Sequence, residues 1–195
     1  MTQYKLTDET IKLDGHTLHR IELTEDCKWG EKGTKGGFIE STSNLTEDAW
    51  VYDNATVSGD AKVSGNATVY GDAWVSGNAK VYGDAWVSGN AKVYGNAWVS
   101  GNAKVYGNAW VYGNAWVYGD ATVYGDANIG STSDYMTISS LGETSRTITI
   151  TFSDKMIVAG CFKGSLEEFK TAVDKKYKGK GNYYPAINFI TELFK

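Results

Sequence analysis

Residues Val105 to Ala127 read VYGNAWVYGNAWVYGDATVYGDA, a six-residue unit repeated almost without error. Within each unit four residues alternate, as in Ala-Trp-Val-Tyr, which is the period of a strand with Ala and Val on one side. Gly-Asn or Gly-Asp follows, a pair that tolerates the positive φ of a sharp corner. Aligned on A-x-V-x-G-[ND], the units run outward in both directions from Ala49 to Thr132, fourteen in all. The first has Asp53 where later ones have glycine, and the last decays to Ile129-Gly130-Ser131-Thr132.

A short strand and a corner every six residues cannot form hairpins, because the inward side never changes sense. It can wind into a coil. Three units make a triangular turn of 18 residues, and successive turns pair as parallel strands about 4.8 Å apart. Fourteen units give about 4.7 turns and a prism roughly 22 Å tall. Ala and Val point inward, leaving two outward slots per unit. Half of these 28 slots hold Trp or Tyr, so the aromatic residues coat the prism and its core is aliphatic.

Residues 18 apart share a face. The first face carries Trp50, Thr68, Trp86, Lys104 and Thr122 beside Tyr52, Tyr70, Ser88, Tyr106 and Tyr124. The second carries Thr56, Trp74, Lys92, Trp110 and Asn128 beside Ser58, Ser76, Tyr94, Tyr112 and Gly130. The third carries Lys62, Lys80, Trp98 and Trp116 beside Ser64, Tyr82, Ser100 and Tyr118. Lys92 between Trp74 and Trp110 is placed for a cation–π stack. No corner Asp stands on another Asp at spacing 18.

The flanks differ. Residues 1–48 predict a β cap, with a hairpin around Asp14-Gly15. Residues 133–195 predict a small α+β domain. Its strands are 147–152 and 156–162. A capping box, Ser165 with Glu168, opens a helix over 166–177, and a second helix spans 185–194. Phe169, Val173, Ile187, Ile190 and Leu193 supply apolar faces that can pack together or cover part of the coil. The repeat itself occupies 49–132.

The chain resembles the left-handed parallel β-helix proteins built from hexapeptide repeats, on the pairs Val51…Ala55, Val57…Ala61 and their successors. Left-handedness is implied by that resemblance, since crossovers are generally right-handed. Gly36-Gly37-Phe38-Ile39-Glu40, the V-[YS]-G-[ND]-A-[WK] units and Gly160-Cys161-Phe162-Lys163-Gly164 are similar to phage- and prophage-encoded members. The resemblance implies a phage setting, the host cytosol and a homotrimer around a threefold axis.

Known enzymes of the fold are acyltransferases using a histidine base and a carbonic anhydrase holding zinc on three histidines. The two histidines here, His16 and His19, lie in the cap and none lies in the coils. Neither arrangement can be built on 49–132, and no catalytic residue, cofactor or metal is expected. His16 and His19 read as solvated strand residues, and Cys161 as a buried thiol. Cys27 and Cys161 have no metal-type spacing, which with the absence of a signal segment points to a reducing, cytoplasmic setting. A net charge of −4 argues against duplex nucleic acid, and no run is long and apolar enough to span a membrane.

Exposed apolar patches are rarely left bare, so the coat reads first as an oligomer interface. The sharper expectation is a non-catalytic binder of a host ligand, in one version a nucleotide signal sequestered as counter-defence. Candidate residues are Trp74, Lys92 and Trp110; Lys80, Trp98 and Trp116; Trp86 and Lys104; and Tyr94 and Tyr112. Rings stack on bases and Lys meets phosphate, with Arg146, Lys163 and the Lys175–Lys180 loop as further anion contacts. A protein–protein inhibitor or a virion scaffold is the alternative, and rings in crevices against rings on an open face would separate the two.

Overall fold

The computed structural model describes residues 3–141, 146–179 and 181–195. Three strands lead in: β1 (Tyr4–Leu13), β2 (His16–Leu23) and β3 (Lys35–Ile39). Fourteen two-residue strands follow at six-residue intervals, from β4 (Trp50–Val51) to β17 (Asn128–Ile129). Then come β18 (Tyr135–Leu141), β19 (Arg146–Thr151), β20 (Met156–Ala159), β21 (Phe162–Gly164), α1 (Leu166–Tyr177) and α2 (Tyr183–Leu193).

The fourteen short strands form a parallel β-solenoid of about five turns. Its three faces are β4-β7-β10-β13-β16, β5-β8-β11-β14-β17 and β6-β9-β12-β15. Each residue pairs with the one 18 positions on, for example Lys92 with Trp110 and Val93 with Val111. Every repeat Ala and Val is buried, and together they fill one continuous core. The corners turn on glycine at positive φ, as at Gly89 (φ +67°), where an added Cβ would sit 3.0 Å from the Gly107 carbonyl oxygen. Asp53 adopts the same left-handed geometry (φ +53°) at the first corner, where Asp is tolerated better than bulkier residues.

The corner side chains obey a donor rule. Asn Nδ2 donates to the side-chain oxygen 18 residues on, as in Asn78→Asn96 (3.1 Å) and Asn96→Asn114 (3.1 Å). Asp72, Asp84, Asp120 and Asp126 each receive such a bond from Asn54, Asn66, Asn102 and Asn108. A carboxylate accepts but cannot donate, so each Asp ends a ladder. That is the physical reason no Asp stands beneath another.

In the coils a backbone N–H donates towards the following turn, as Trp86 N does to Ala103 O. The last turn therefore has donors with no turn above it. Side-chain oxygens of the C-terminal segment replace that turn. Trp116 N reaches Thr132 Oγ1 (2.9 Å), Thr122 N reaches Thr149 Oγ1 (2.8 Å), and Asn128 N reaches Ser153 Oγ (2.9 Å). At the other end Asn44 Nδ2 covers the carbonyls of Gly59 and Ala61, both at 2.9 Å, and β3 adds a strand parallel to β5. The β1–β2 hairpin turns at Asp14-Gly15, as expected, and extends the second face as antiparallel strands.

The C-terminal unit has its own antiparallel sheet, β18-β19-β20-β21, backed by α1 and α2. The α1 capping box is present: Ser165 Oγ accepts the Glu168 N–H, and Glu168 returns to Ser165 N. The sheet contains β18, which sequence reasoning missed, and the long strand foreseen to 162 breaks into β20 and β21. Phe169, Val173, Ile187 and Ile190 are buried in this unit's core, but Leu193 is exposed. Helix α1 packs on β20 and β21, and α2 packs on α1. Cys161 is exposed, not buried, because Gly160 (φ +63°) and Cys161 form the turn between β20 and β21. Within the Lys175–Lys180 loop, residue 180 lies outside the described residues.

Asn102→Asp should destabilise the fold by about 1 kcal/mol, less in high salt, because a donor is lost and a carboxylate is placed between those of Asp84 and Asp120. Asp84→Asn should do the reverse by joining two ladders into one; paired thermal melts check both signs. Asn44→Ala leaves two buried carbonyls without a donor and should cost about 2–3 kcal/mol in a denaturant titration.

Candidate functional site

The coat is not uniform. Trp50, counted among the outward rings, is only 1% exposed. Tyr4 and Tyr52 meet it edge-on at 6.2 and 6.3 Å, and Gly36 of β3 lies too close to admit a Cβ. The lead-in strands thus cover the first turn of this face.

On the second face Lys92 Nζ lies 5.4 Å from the Trp74 ring and 5.0 Å from the Trp110 ring. Tyr94 and Tyr112 stack beside them with ring centres 5.4 Å apart. The third face places Lys80 Nζ 4.5 Å from Trp98, and Trp98 stacks flat on Trp116 at 4.8 Å with planes 4° apart. In both cases the expected residues come together, but they satisfy one another.

The first face differs because a small residue lies between two large ones in both of its columns. Thr68 lies between Trp50 and Trp86, and Ser88 between Tyr70 and Tyr106, as the register dictates. Each small residue leaves a hollow walled by its neighbours. The lower hollow, of about 400 Å³, is lined by Trp29, Tyr52, Asp53, Thr68, Tyr70 and Trp86. The upper, of about 290 Å³, is lined by Tyr70, Trp86, Ser88, Lys104 and Tyr106. Tyr70 and Trp86 belong to both, with ring centres 5.0 Å apart, so the two hollows form one groove.

The groove is polarised along the solenoid axis. Asp53 sits at the lower end, and its carboxylate accepts the Gly71 N–H at 3.2 Å. At the upper end Lys104 Nζ lies 5.4 Å from the Trp86 ring. Lys163, carried by β21, reaches over Tyr106 at 4.5 Å and Tyr124 at 4.0 Å. Trp29 comes from the lead-in loop, held by its indole N–H on Asp48 O (3.0 Å) and by Lys28 over its ring (4.6 Å). All three parts of the chain therefore contribute to one surface. Of the residues expected from sequence, Trp86, Lys104 and Lys163 belong here, whereas Trp74, Lys92, Trp110, Lys80, Trp98, Trp116, Tyr94 and Tyr112 lie on the other two faces. Tyr52, Tyr70, Ser88, Tyr106 and Trp29 were missed as site residues. The signal for Tyr70, Ser88 and Tyr106 was a small residue between two large ones at spacing 18; Tyr52 and Trp29 carried none.

The histidines have local partners. His16 Nδ1 lies 2.9 Å from Glu40 Oε1, and His19 Nδ1 lies 3.0 Å from Thr7 O. The bond from His16, together with the Gly59 N–H on the other carboxylate oxygen, holds the Glu40 carboxyl below its ordinary range. Among the described residues no group of three or more His, Cys, Asp and Glu is arranged to hold a metal ion. No helix among them is long and apolar enough to cross a membrane.

Residues 61–77 and 103–119 match the family described as the YdcK β-solenoid repeat. No curated protein matches the chain. The match falls wholly within the coils, in agreement with the solenoid architecture, and leaves the lead-in and C-terminal segments unmatched.

The flat Trp98–Trp116 stack should show a coupling of about 0.5–1.5 kcal/mol in a double-mutant cycle. Threonine is the substitute of choice, since it fills the same slot at Thr68 and Thr122. Trp74 and Trp110 should couple only while Lys92 is present, so the cycle repeated in Lys92→Ala should give a value near zero.

Proposed function

We propose that the protein acts by binding, holding a small ligand with a flat aromatic part and an anionic part in the groove of the first face. The observation that carries this reading is the polarity of the groove. Its lower end offers rings and one carboxylate, and its upper end offers Lys104 and Lys163. A base stacked near Tyr70 and Trp86 gains roughly 1–3 kcal/mol per ring contact. Asp53 can accept a hydrogen bond from a base or sugar donor, and the lysines meet phosphate as point charges. The combined volume is that of an ordinary small-molecule site.

The upper hollow, more enclosed than the lower, favours a small ligand over a protein partner, whose anchors would stand on an open face. The non-catalytic reading rests on the sequence, which puts no histidine in the coils. Similarity to phage- and prophage-encoded hexapeptide-repeat proteins supplies the setting. In a host cytosol, a protein that binds a nucleotide signal tightly without altering it would act as counter-defence.

Native mass spectrometry of the protein purified gently from its expression host should reveal a bound species of nucleotide mass, released on denaturation. Titration calorimetry with AMP, ADP and cyclic mono- and dinucleotides then ranks the class. Ser88→Tyr should fill the groove and abolish binding while leaving the melting temperature near that of the parent. Lys104→Ala should weaken binding about tenfold and flatten its salt dependence. Binding unchanged in Ser88→Tyr, or no nucleotide bound by any of these routes, overturns the reading.

A further inference from the structure

The third face leaves a different surface. Trp116 on β15 is 49% exposed, and Tyr118, just past the end of β15, is 55% exposed. Both rings thus present much of their surface to solvent. Going up the solenoid, its first column reads Lys62, Lys80, Trp98, Trp116. Its second column, two residues further along each strand, reads Ser64, Tyr82, Ser100, Tyr118.

Both columns are complementary to their own reversal. A twofold axis lying in the face, along the strand direction, inverts the vertical order and keeps each column opposite itself. Lys62 then faces Trp116 of the second copy and Lys80 faces its Trp98, each pair occurring twice. Ser64 meets Tyr118, and Tyr82 meets Ser100, so a small side chain opposes a large one at every level. The corner residues follow the same rule: Asp60 faces Asn114, Asn66 faces Asp120, and Asp84 faces Asn102. No carboxylate meets a carboxylate and no lysine meets a lysine.

Other arrangements lose this match. Parallel axes, as around a threefold, put the lysine levels of all copies at one height and the tryptophans at another. The second face, reversed, sets Lys92 on Lys92, and the first sets Trp86 on Trp86 and Ser88 on Ser88. Self-complementarity of charge and size under a twofold is what an isologous interface requires.

We propose that the third face is a self-association surface, on which a second copy of this chain packs with its solenoid axis antiparallel, Lys80 of each copy against Trp98 of the other. The interface has only four rungs at about 4.8 Å, or roughly 15–20 Å in height, which is small for a permanent complex. The dimer is therefore reversible and concentration-dependent. It uses none of the groove residues of the first face, so it stands or falls independently of the ligand.

Sedimentation velocity of the full chain across a concentration series tests it. A monomer–dimer equilibrium is expected. Lys80→Ala should weaken it about tenfold, because each cation–π contact is lost twice. Lys80 is exposed, and the same slot tolerates other residues elsewhere in the repeat, so this variant should fold. The geometry is read by mixing two proteins in a Cys27→Ser, Cys161→Ser background, one carrying Tyr82→Cys and the other Ser100→Cys. The mixture should form a disulfide-linked dimer faster than either protein alone. A monomer at every concentration, a trimer, a dimer indifferent to Lys80→Ala, or preferential linking of one variant to itself would each overturn the proposal.

Discussion

One bond pattern governs this molecule: the backbone N–H of residue i donates to the carbonyl of residue i+17, turn after turn. It places residue i+18 directly above residue i at about 4.8 Å. Every side chain therefore has two fixed neighbours that the sequence itself names. Inside, this stacks Ala on Ala and Val on Val into one continuous core. Outside, it converts a linear repeat into columns, and the chemistry of each column follows from whether adjacent members can tolerate each other.

The columns show that constraint in three forms. At the corners an amide can both donate and accept, so Asn continues a ladder, while Asp accepts only and ends it. On the second and third faces, Lys92 lies between two rings, Lys80 lies over Trp98, and Trp98 lies flat on Trp116. On the first face a small residue separates two large ones, and the neighbours cannot close the gap. The same lattice thus yields self-satisfied columns in two places and an unfilled groove in the third.

A lattice of this kind leaves an unpaired set of donors at one end and acceptors at the other. Ending it is a matter of supplying oxygen atoms above and donors below. Thr132, Thr149, Ser153 and Asp134 supply the first, and Asn44, Arg20 and the strand β3 supply the second. These caps explain why the lead-in and the C-terminal unit are attached to the solenoid, and the same attachments bring Trp29 and Lys163 to the rims of the groove. Closure of the lattice and assembly of the site are one structural event.

The solenoid, its corners and the composition of each face were legible in the sequence because the period of 18 fixes neighbours before any coordinate is known. So were the hairpin at Asp14-Gly15 and the helix opened by Ser165 and Glu168, both set by local hydrogen bonding. What escaped depends on contacts the period does not specify. Trp50 is buried by strands from outside the repeat, Cys161 is exposed by a turn, and Trp29 reaches the groove through a loop. The groove itself lies between these cases. Its walls were in the columns, but choosing it required weighing absence, Thr68 and Ser88, above the abundance of rings elsewhere. A ring flanked by rings completes a stack, whereas a ring flanked by a hydroxyl keeps a face for something else. In a repeat protein whose neighbours are fixed, the smallest outward residues mark where a ligand has room.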